Sequence, residues 1–185
     1  LCIRDSNKTV TQVFAFKLSA FDNAAITASG ELLVRPGSLK ITWRLDSIPR
    51  LVFPCDPDTV TPGVQVDNLW EQTCFEMFIR PNGAVGYIEV NISPTRDWNC
   101  YAFTGQRSGM SESTDVTPIS IHACEHIDGT TLVAHLRHEL DGPQRIGISA
   151  ILKTASDDKY FFALHHPCTT PDFHHPDGHV IYAVI

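Results

Sequence analysis

Residues 73–93 constrain the fold more than any other part of this sequence, because they contain two alternating runs joined by a turn. In 73–79 and again in 87–93, apolar side chains recur at every second position, which is the period of a β-strand. Between them lies Arg80-Pro81-Asn82-Gly83, where proline presets a negative φ and Asn-Gly tolerates a positive one. The pattern predicts a β-hairpin, and a third strand follows it and ends near residue 103.

Strand parity predicts which side chains of this hairpin share a face. If Met77 and Val90 point into a core, then Glu76, Glu89 and Asn91 stand side by side on the opposite surface. Apolar and aromatic residues surround them there, namely Cys74, Phe78 and Tyr87. We expect this face to be concave, to lie away from the packed interior and to form the floor of a site for a polar ligand.

The rest of the chain repeats the same short alternating pattern. Strands are predicted over 12–18, 26–34, 39–45, 119–124, 131–137, 145–152 and 160–165. Two longer loops are predicted, a proline-containing one over 46–68 and a Gly- and Ser-rich one over 104–114. Many short strands without a helical period predict an all-β fold: one domain over 1–185, an antiparallel β-sandwich of roughly ten strands, jelly-roll or immunoglobulin-like.

In the strand over 39–45, Trp43 falls on the apolar side and is predicted to be a core aromatic. Its neighbour Arg44 falls on the polar side. Two interpretations of Arg44 remain open: it joins Glu76 and Glu89 in the site, or it is a solvated surface charge.

Composition argues against several functional classes. The chain has 185 residues and a net charge of −7, and its 14 basic residues are scattered, so no nucleic-acid partner is expected. No apolar run is long enough for a membrane helix, and no signal-peptide zones are present, although the chain begins at Leu1 rather than Met. Six cysteines without C-x-x-C spacing favour a reducing compartment, so we expect a cytoplasmic location.

Residues 165–179 form the second unusual stretch, with five of the nine histidines and three prolines in fifteen positions. Proline restricts the backbone, so we expect an ordered loop next to the face that carries Glu76 and Glu89. Three roles remain open: a structural loop with Phe173 plugging the core, a ligand wall that uses Asp172 and His174, or a transition-metal site.

Three pieces of the sequence together resemble a known superfamily: DNLWEQTCFEMFI, YIEVNISPTRDWNCYAF and HHPCTTPDFHHPDGH. They resemble bacterial DOMON-like domains related to family 9 carbohydrate-binding modules, in an uncharacterised branch with a C-terminal PDFHHPDG motif. Trp70, Glu76 and Phe78 match the W-x-x-x-x-x-E-x-F core of that superfamily.

The resemblance implies an antiparallel β-sandwich that binds a ligand without catalysis, a sugar in some members and haem in others. For this chain it favours a carbohydrate or similar polyhydroxylated ligand, and a cell-wall sugar in particular. Trp70 matches the motif tryptophan, and Trp98 is a candidate second aromatic. With Arg44, Glu76, Glu89 and Asn91, these tryptophans could bind a sugar ring and its hydroxyl groups.

Other classes stay open beside the sugar binder. A glycoside hydrolase would use Glu76 and Glu89 as its paired carboxylates. A haem protein would need a methionine and a histidine; Met110 is the candidate methionine, and no histidine is expected opposite it. A metal-binding domain or a sandwich that docks on a partner protein are further alternatives, so the sequence leaves the cofactor undetermined.

Overall fold

Twelve β-strands and two single 3₁₀ turns make up this protein in the computed structural model, which describes residues 10–22, 24–46, 59–126 and 129–185. The turns are Leu69–Glu71 and Pro176–Gly178. The strands are β1 (Gln12–Ala20), β2 (Thr27–Arg35), β3 (Ser38–Asp46), β4 (Cys74–Pro81), β5 (Tyr87–Ile92), β6 (Trp98–Phe103), β7 (Ser111–Glu112), β8 (Val116–His126), β9 (Gly129–His138), β10 (Pro143–Lys153), β11 (Lys159–Ala163) and β12 (Ile181–Val184).

All strand pairs are antiparallel, and their order defines two layers. The first sheet runs β1-β2-β3-β9-β8, and the second runs β7-β6-β5-β4-β10-β11, with β12 also paired to β10. A short pairing of β1 with β11 joins the two layers at one side. The predicted all-β antiparallel sandwich is confirmed, although its hydrogen bonding is continuous from one sheet to the other.

The main core lies between the two sheets. Trp43 of β3 meets Phe75 of β4 with ring centroids 5.5 Å apart, and both side chains are fully buried. Met77 and Val90 are buried in the same core. The prediction that Trp43 and Met77 are core residues is therefore confirmed.

The central hairpin forms as its turn residues predict. Ala84 donates its backbone N–H to the Pro81 carbonyl at 2.9 Å, and Gly83 takes a positive φ of 83° that glycine adopts without strain. Most predicted strands match within two or three residues, but β7 and β12 were not predicted. Residues 47–58 of the predicted loop lie outside the described part of the chain. No described helix is long and apolar enough to cross a membrane.

Two of the predicted site residues lie elsewhere. Arg44 is exposed on the outer face of the first sheet, because β3 belongs to the layer opposite β4 and β5. Trp98 pairs with Ile92 and packs against the main core, because the parity of β6 turns it to the inner face. The prediction that Trp98 lies beside Glu76 and Glu89 is wrong, and of the two interpretations of Arg44 the structure agrees with the solvated surface charge.

Candidate ligand-binding site

The outer face of the second sheet carries the polar residues that strand parity groups together. Glu76 pairs with Asn91 across β4 and β5, and Glu89 is the next outward-facing residue of β5. The predicted grouping, on the face opposite Met77 and Val90, is confirmed. All three side chains are nevertheless buried, because residues 165–179, here called the C-terminal segment, and the turn that carries Trp70 cover this face.

Arg80 holds the C-terminal segment against the sheet. From the end of β4, its Nη2 atom donates to the His174 carbonyl at 3.3 Å and its Nε to His179 Nδ1 at 3.3 Å. Its Nη1 atom donates to the Val85 carbonyl at 2.8 Å, and its guanidinium lies 4.8 Å from the centre of the Tyr87 ring. A guanidinium has five donors in a fixed planar arrangement, which suits it to join several backbone and ring acceptors at once.

His179 packs closely on the sheet, because β10 has a glycine beneath it. A Cβ atom on Gly147 would lie 2.5 Å from His179 Cδ2, so glycine is required for this contact. The ring stacks on Phe78 and has its Nε2 atom 3.1 Å from the Phe173 carbonyl. Because Arg80 donates to Nδ1, the proton of the neutral ring must reside on Nε2. Burial lowers the pKa of His179 to about 4, which keeps it neutral near pH 7.

His174 lies between aromatic rings, next to the carboxylate of Glu89. Its Nδ1 atom is 2.6 Å from the Tyr87 hydroxyl, and its ring meets Phe78 and Phe103 edge-on. Burial, helped by the positive charge of Arg107, lowers the pKa of His174 to about 4. The prediction that the histidine-rich segment lies next to the face of Glu76 and Glu89 is confirmed.

Between the sheet and the C-terminal segment is a cavity of about 460 Å³. This volume is in the range of small-molecule sites. Aromatic and apolar side chains form much of its wall, and a few charged groups interrupt them. The lining residues are Trp70, Glu76, Glu89, Phe103, Arg107, Met110, Ile151, Lys159, Phe161, Pro171, Phe173 and His174.

An ion pair between Arg107 and Asp172 lies at the rim of the cavity. Arg107, on the connection after β6, donates from Nε and Nη2 to Asp172 Oδ1 at 3.1 and 3.0 Å. Gln106 donates to the other carboxylate oxygen of Asp172 at 2.7 Å. Burial acts to raise the pKa of Asp172, but Arg107 and Gln106 outweigh it and lower that pKa. Asp172 therefore positions Arg107 at the cavity.

The two glutamates at the cavity floor are held by neighbours within the sheet. Ser149 donates its hydroxyl to Glu76 Oε2 at 2.9 Å, and Asn91 donates its amide to Glu89 Oε1 at 2.8 Å. Burial raises the pKa of both carboxyl groups well above the usual value, and for Glu76 the negative charge of Glu89 raises it further. The pair therefore tends to retain one proton near neutral pH.

One oxygen of this pair is fully buried and has no donor. Glu89 Oε2 is buried without a hydrogen-bond partner, and the nearest ionisable nitrogen, His174 Nδ1, is 3.7 Å away. That distance is too long for a hydrogen bond. A buried polar atom left unpaired is uncommon in native proteins and calls for a physical explanation.

The cavity contains some of the predicted site residues and omits others. Trp70, Glu76, Glu89 and His174 line it, whereas Asp172 acts through Arg107. Asn91 is fully buried beside Glu89 on β5, and it contacts that carboxylate instead of the cavity. Sequence reasoning missed Phe103, Phe161 and Arg107. The parity of β6 and β11 places the two phenylalanines on the outer face, so they could have been predicted. Nothing in the sequence marks Arg107.

The described cavity residues do not form a site for a metal ion or a haem group. No three His, Cys, Asp or Glu side chains of the described residues are grouped to hold a metal ion. His174 lines the same cavity as Met110, in contrast to the expectation that no histidine would accompany this methionine. Its ring is engaged by Tyr87, however, and a porphyrin would cover the unpaired Glu89 oxygen with an apolar face. These residues do not fit a haem.

Comparisons with known proteins support the fold. No protein-family model matches the sequence, and no curated protein matches it. A Bacteroides uniformis ATCC 8492 structure, described as a "putative carbohydrate-binding protein", is similar at a TM-score of 0.63 and 12% identity, over 95% of this chain and 86% of that one. A family 9 carbohydrate-binding module from Caldicellulosiruptor kristjanssonii, in complex with cellotriose, gives a TM-score of 0.48 and 12% identity over 82% and 72%. The first likeness shows the sandwich fold alone.

Proposed function

We propose that this protein binds a carbohydrate or a similar polyhydroxylated compound, without catalysis, in the cavity on the outer face of the second sheet. The observation that carries the proposal is the composition of the cavity wall: aromatic rings beside two buried carboxylates and a positioned guanidinium. The description of the Bacteroides uniformis neighbour as carbohydrate-binding is consistent with this proposal.

The apolar part of the wall suits the C–H face of a sugar ring. Trp70 is half-buried, lines the cavity and meets Tyr101 edge-on at 5.7 Å, which fixes its orientation. Phe103 stacks on Tyr87 at 4.8 Å, so it too is held in place. Rigid aromatic side chains offer a large contact area at a small entropic cost.

The polar part of the wall suits hydroxyl groups. Glu76 and Glu89 can accept hydrogen bonds from hydroxyls, and a carboxyl group that retains its proton can also donate. Arg107 has guanidinium hydrogens beyond those used by Asp172. A site that alternates donors and acceptors along an apolar plate is typical of polyol recognition.

A glycan array that includes cell-wall fragments, read alongside a thermal-shift screen, tests the proposal. A bound ligand should raise the melting temperature by mass action. With the best ligand, calorimetry on Glu89→Ala should show an affinity loss of roughly 10- to 150-fold, since a charge-assisted hydrogen bond is removed. Glu125→Ala, on the first sheet, is the matched control. Unchanged affinity in a folded Glu89→Ala protein would contradict the site.

A glycoside hydrolase is the second candidate, and one observation favours it. Glu76 and Glu89 line the same cavity and tend to share a proton, so one could act as an acid while the other stays ionised. Incubation with the ligands found on the array distinguishes the two functions. Turnover that Glu89→Ala abolishes would establish the enzyme and contradict a purely binding role.

A further inference from the structure

The unpaired oxygen of Glu89 suggests what kind of ligand the cavity selects. The Glu89 residue is 3% exposed, its Oε2 atom has no partner, and its side chain lines the cavity. Removing a carboxylate oxygen from water without a hydrogen bond is costly. A donor supplied from the cavity side would remove that cost.

The neighbouring groups of the protein are already engaged elsewhere. Asn91 donates to the other oxygen of Glu89, at 2.8 Å. Arg107 binds Asp172 through two nitrogens, and its charge lowers the pKa of both glutamates without a hydrogen bond to Glu89 Oε2. His174 is held by Tyr87 and lies 3.7 Å from Glu89 Oε2. No donor from the described residues reaches this oxygen, which leaves the role to a ligand or a water molecule.

The surroundings of this oxygen favour a cationic donor over a neutral one. Two carboxylates face one cavity, and a positive group between them would let both ionise at once. The aromatic wall adds to this preference, because the faces of Trp70, Phe103 and Phe161 attract cations. An ammonium group has three donors and no acceptor, so none of its atoms would be left unsatisfied against carboxylates.

Resting on the proposed function, we propose that the cavity selects a polyhydroxylated ligand that carries a protonated primary amine, such as an amino sugar, and that the ammonium group donates to Glu89 Oε2 and to Glu76. The hydroxyl groups then contact the remaining polar wall, and the ring lies against Trp70. An N-acetylated or purely neutral sugar lacks the charge and binds more weakly.

Charged and titratable groups on every adjoining element face the carboxylate pair. They are Cys74 on β4, Tyr87 on β5, Tyr101 on β6, Lys159 on β11, Arg107 on the connection after β6 and His174 on the C-terminal segment, while Asp172 and His179 of that segment instead contact Arg107 and Arg80. Burial keeps Tyr87, His174 and His179 neutral near pH 7. Lys159 is exposed, so water and salt screen its charge. The carboxylate pair is therefore the strongest attraction for a cation.

Calorimetry on the full chain with three tetrasaccharides tests this inference: the glucosamine tetramer, its N-acetylated form and cellotetraose. At about pH 6.5 and about 0.15 M salt, which screens the overall negative charge, the glucosamine tetramer should bind roughly 10- to 150-fold more tightly than cellotetraose. Its binding heat should also vary with the ionisation enthalpy of the buffer, because the ammonium group displaces the shared proton.

Two variants test whether Glu89 and Glu76 cause the preference for the amino sugar. Glu89→Gln and Glu76→Gln should each bring the ratio of the two affinities close to one, whereas Glu125→Gln should leave it unchanged. If Glu89→Gln does not fold, the affinity ratio and the buffer dependence of the binding heat in the parent protein still test the amine preference. Cellotetraose binding as tightly as the glucosamine tetramer would overturn the amine preference and leave the proposed function intact. Binding of neither neutral nor amino sugars would overturn both.

Discussion

The two outer faces of this sandwich follow the same sequence pattern but have different environments. On the first sheet, Lys40, Arg44 and His135 alternate with core residues and are exposed to solvent. On the second sheet, Glu76 and Glu89 alternate with core residues in the same way, yet they are buried. Polar alternation therefore identifies the face that lies away from the core, but it does not reveal whether another segment covers that face.

The difference arises from the C-terminal segment, which covers one face and leaves the other in water. A polar face exposed to water needs no partners, whereas a covered one must satisfy each buried group internally. The covered face does so through Arg80, Ser149 and Asn91, and it leaves Glu89 Oε2 buried without a donor. The following predictions test this contrast, in order of decreasing effect.

Replacing Arg80 should have the largest effect on stability. Arg80→Met removes donors to His179, His174 and Val85, and it leaves the His179 ring nitrogen buried without its donor. Hydrogen bonds to a charged group contribute about 1.5 to 3 kcal/mol each, so the free energy of unfolding should fall by about 3 kcal/mol or more. Urea unfolding of the variant and the parent protein measures this loss of stability.

The matched control is Arg44→Met, on the exposed face of the first sheet. Surface substitutions of this kind usually change stability by less than about 0.5 kcal/mol. Equal losses in the two variants would show that the C-terminal segment is not held by Arg80.

A methyl group at Gly147 should separate the C-terminal segment from the sheet. In Gly147→Ala the new Cβ meets the His179 ring, and overpacking of this kind costs about 1 to 3 kcal/mol. The same substitution made in a His179→Ala background should cost clearly less, because the clashing ring is gone. A double-mutant cycle by urea unfolding measures this coupling, and additive losses would mean that the contact does not form.

The covered carboxylates should make stability depend on pH. Because their pKa values are raised in the folded protein, their contribution is full below about pH 4.5 and is lost as the pH rises through the folded pKa values. His174 and His179, with lowered pKa values, act oppositely, and their contribution is lost as the pH falls from about 6.5 toward about 4. Above about pH 6.5 only the carboxylate effect remains.

The free energy of unfolding should therefore fall between about pH 6.5 and 8, by up to about 1.4 kcal/mol per pH unit for one bound proton. Thermal or urea unfolding across this range measures the slope. Glu76→Gln should flatten it, whereas Glu125→Gln on the first sheet should not. A slope that stays the same in Glu76→Gln would contradict a proton held at this site.

Local patterns in the sequence were sufficient to predict most of the fold. The alternation in β4 and β5 and the Asn82-Gly83 turn predict the hairpin, its register and the shared face of Glu76 and Glu89, because these depend on neighbouring residues alone. β7 and β12 escaped prediction, since two and four residues are too short to show a period.

The site was only partly predictable, because it depends on contacts distant in sequence. Parity cannot tell which sheet a strand joins, so it leaves open whether Arg44 lies beside Glu76 and Glu89, which belong to the opposite layer. Trp98 was selected for its aromatic character alone, and the parity of β6 turns it inward. The Arg107–Asp172 pair joins positions 65 residues apart, and no local pattern indicates such a contact.

The central claim is that the covered face of the second sheet binds a polyhydroxylated ligand, and the two tryptophans outside the deep core provide its most direct test. Calorimetry with the best ligand from the array compares Trp70→Ala, in the cavity wall, with Trp98→Phe, which keeps an aromatic ring against the core. We predict that Trp70→Ala lowers the affinity by about 10-fold or more, because the apolar plate is lost, and that Trp98→Phe binds as the parent does. Unchanged binding in a folded Trp70→Ala protein, or an equal loss in both variants, would contradict the claim.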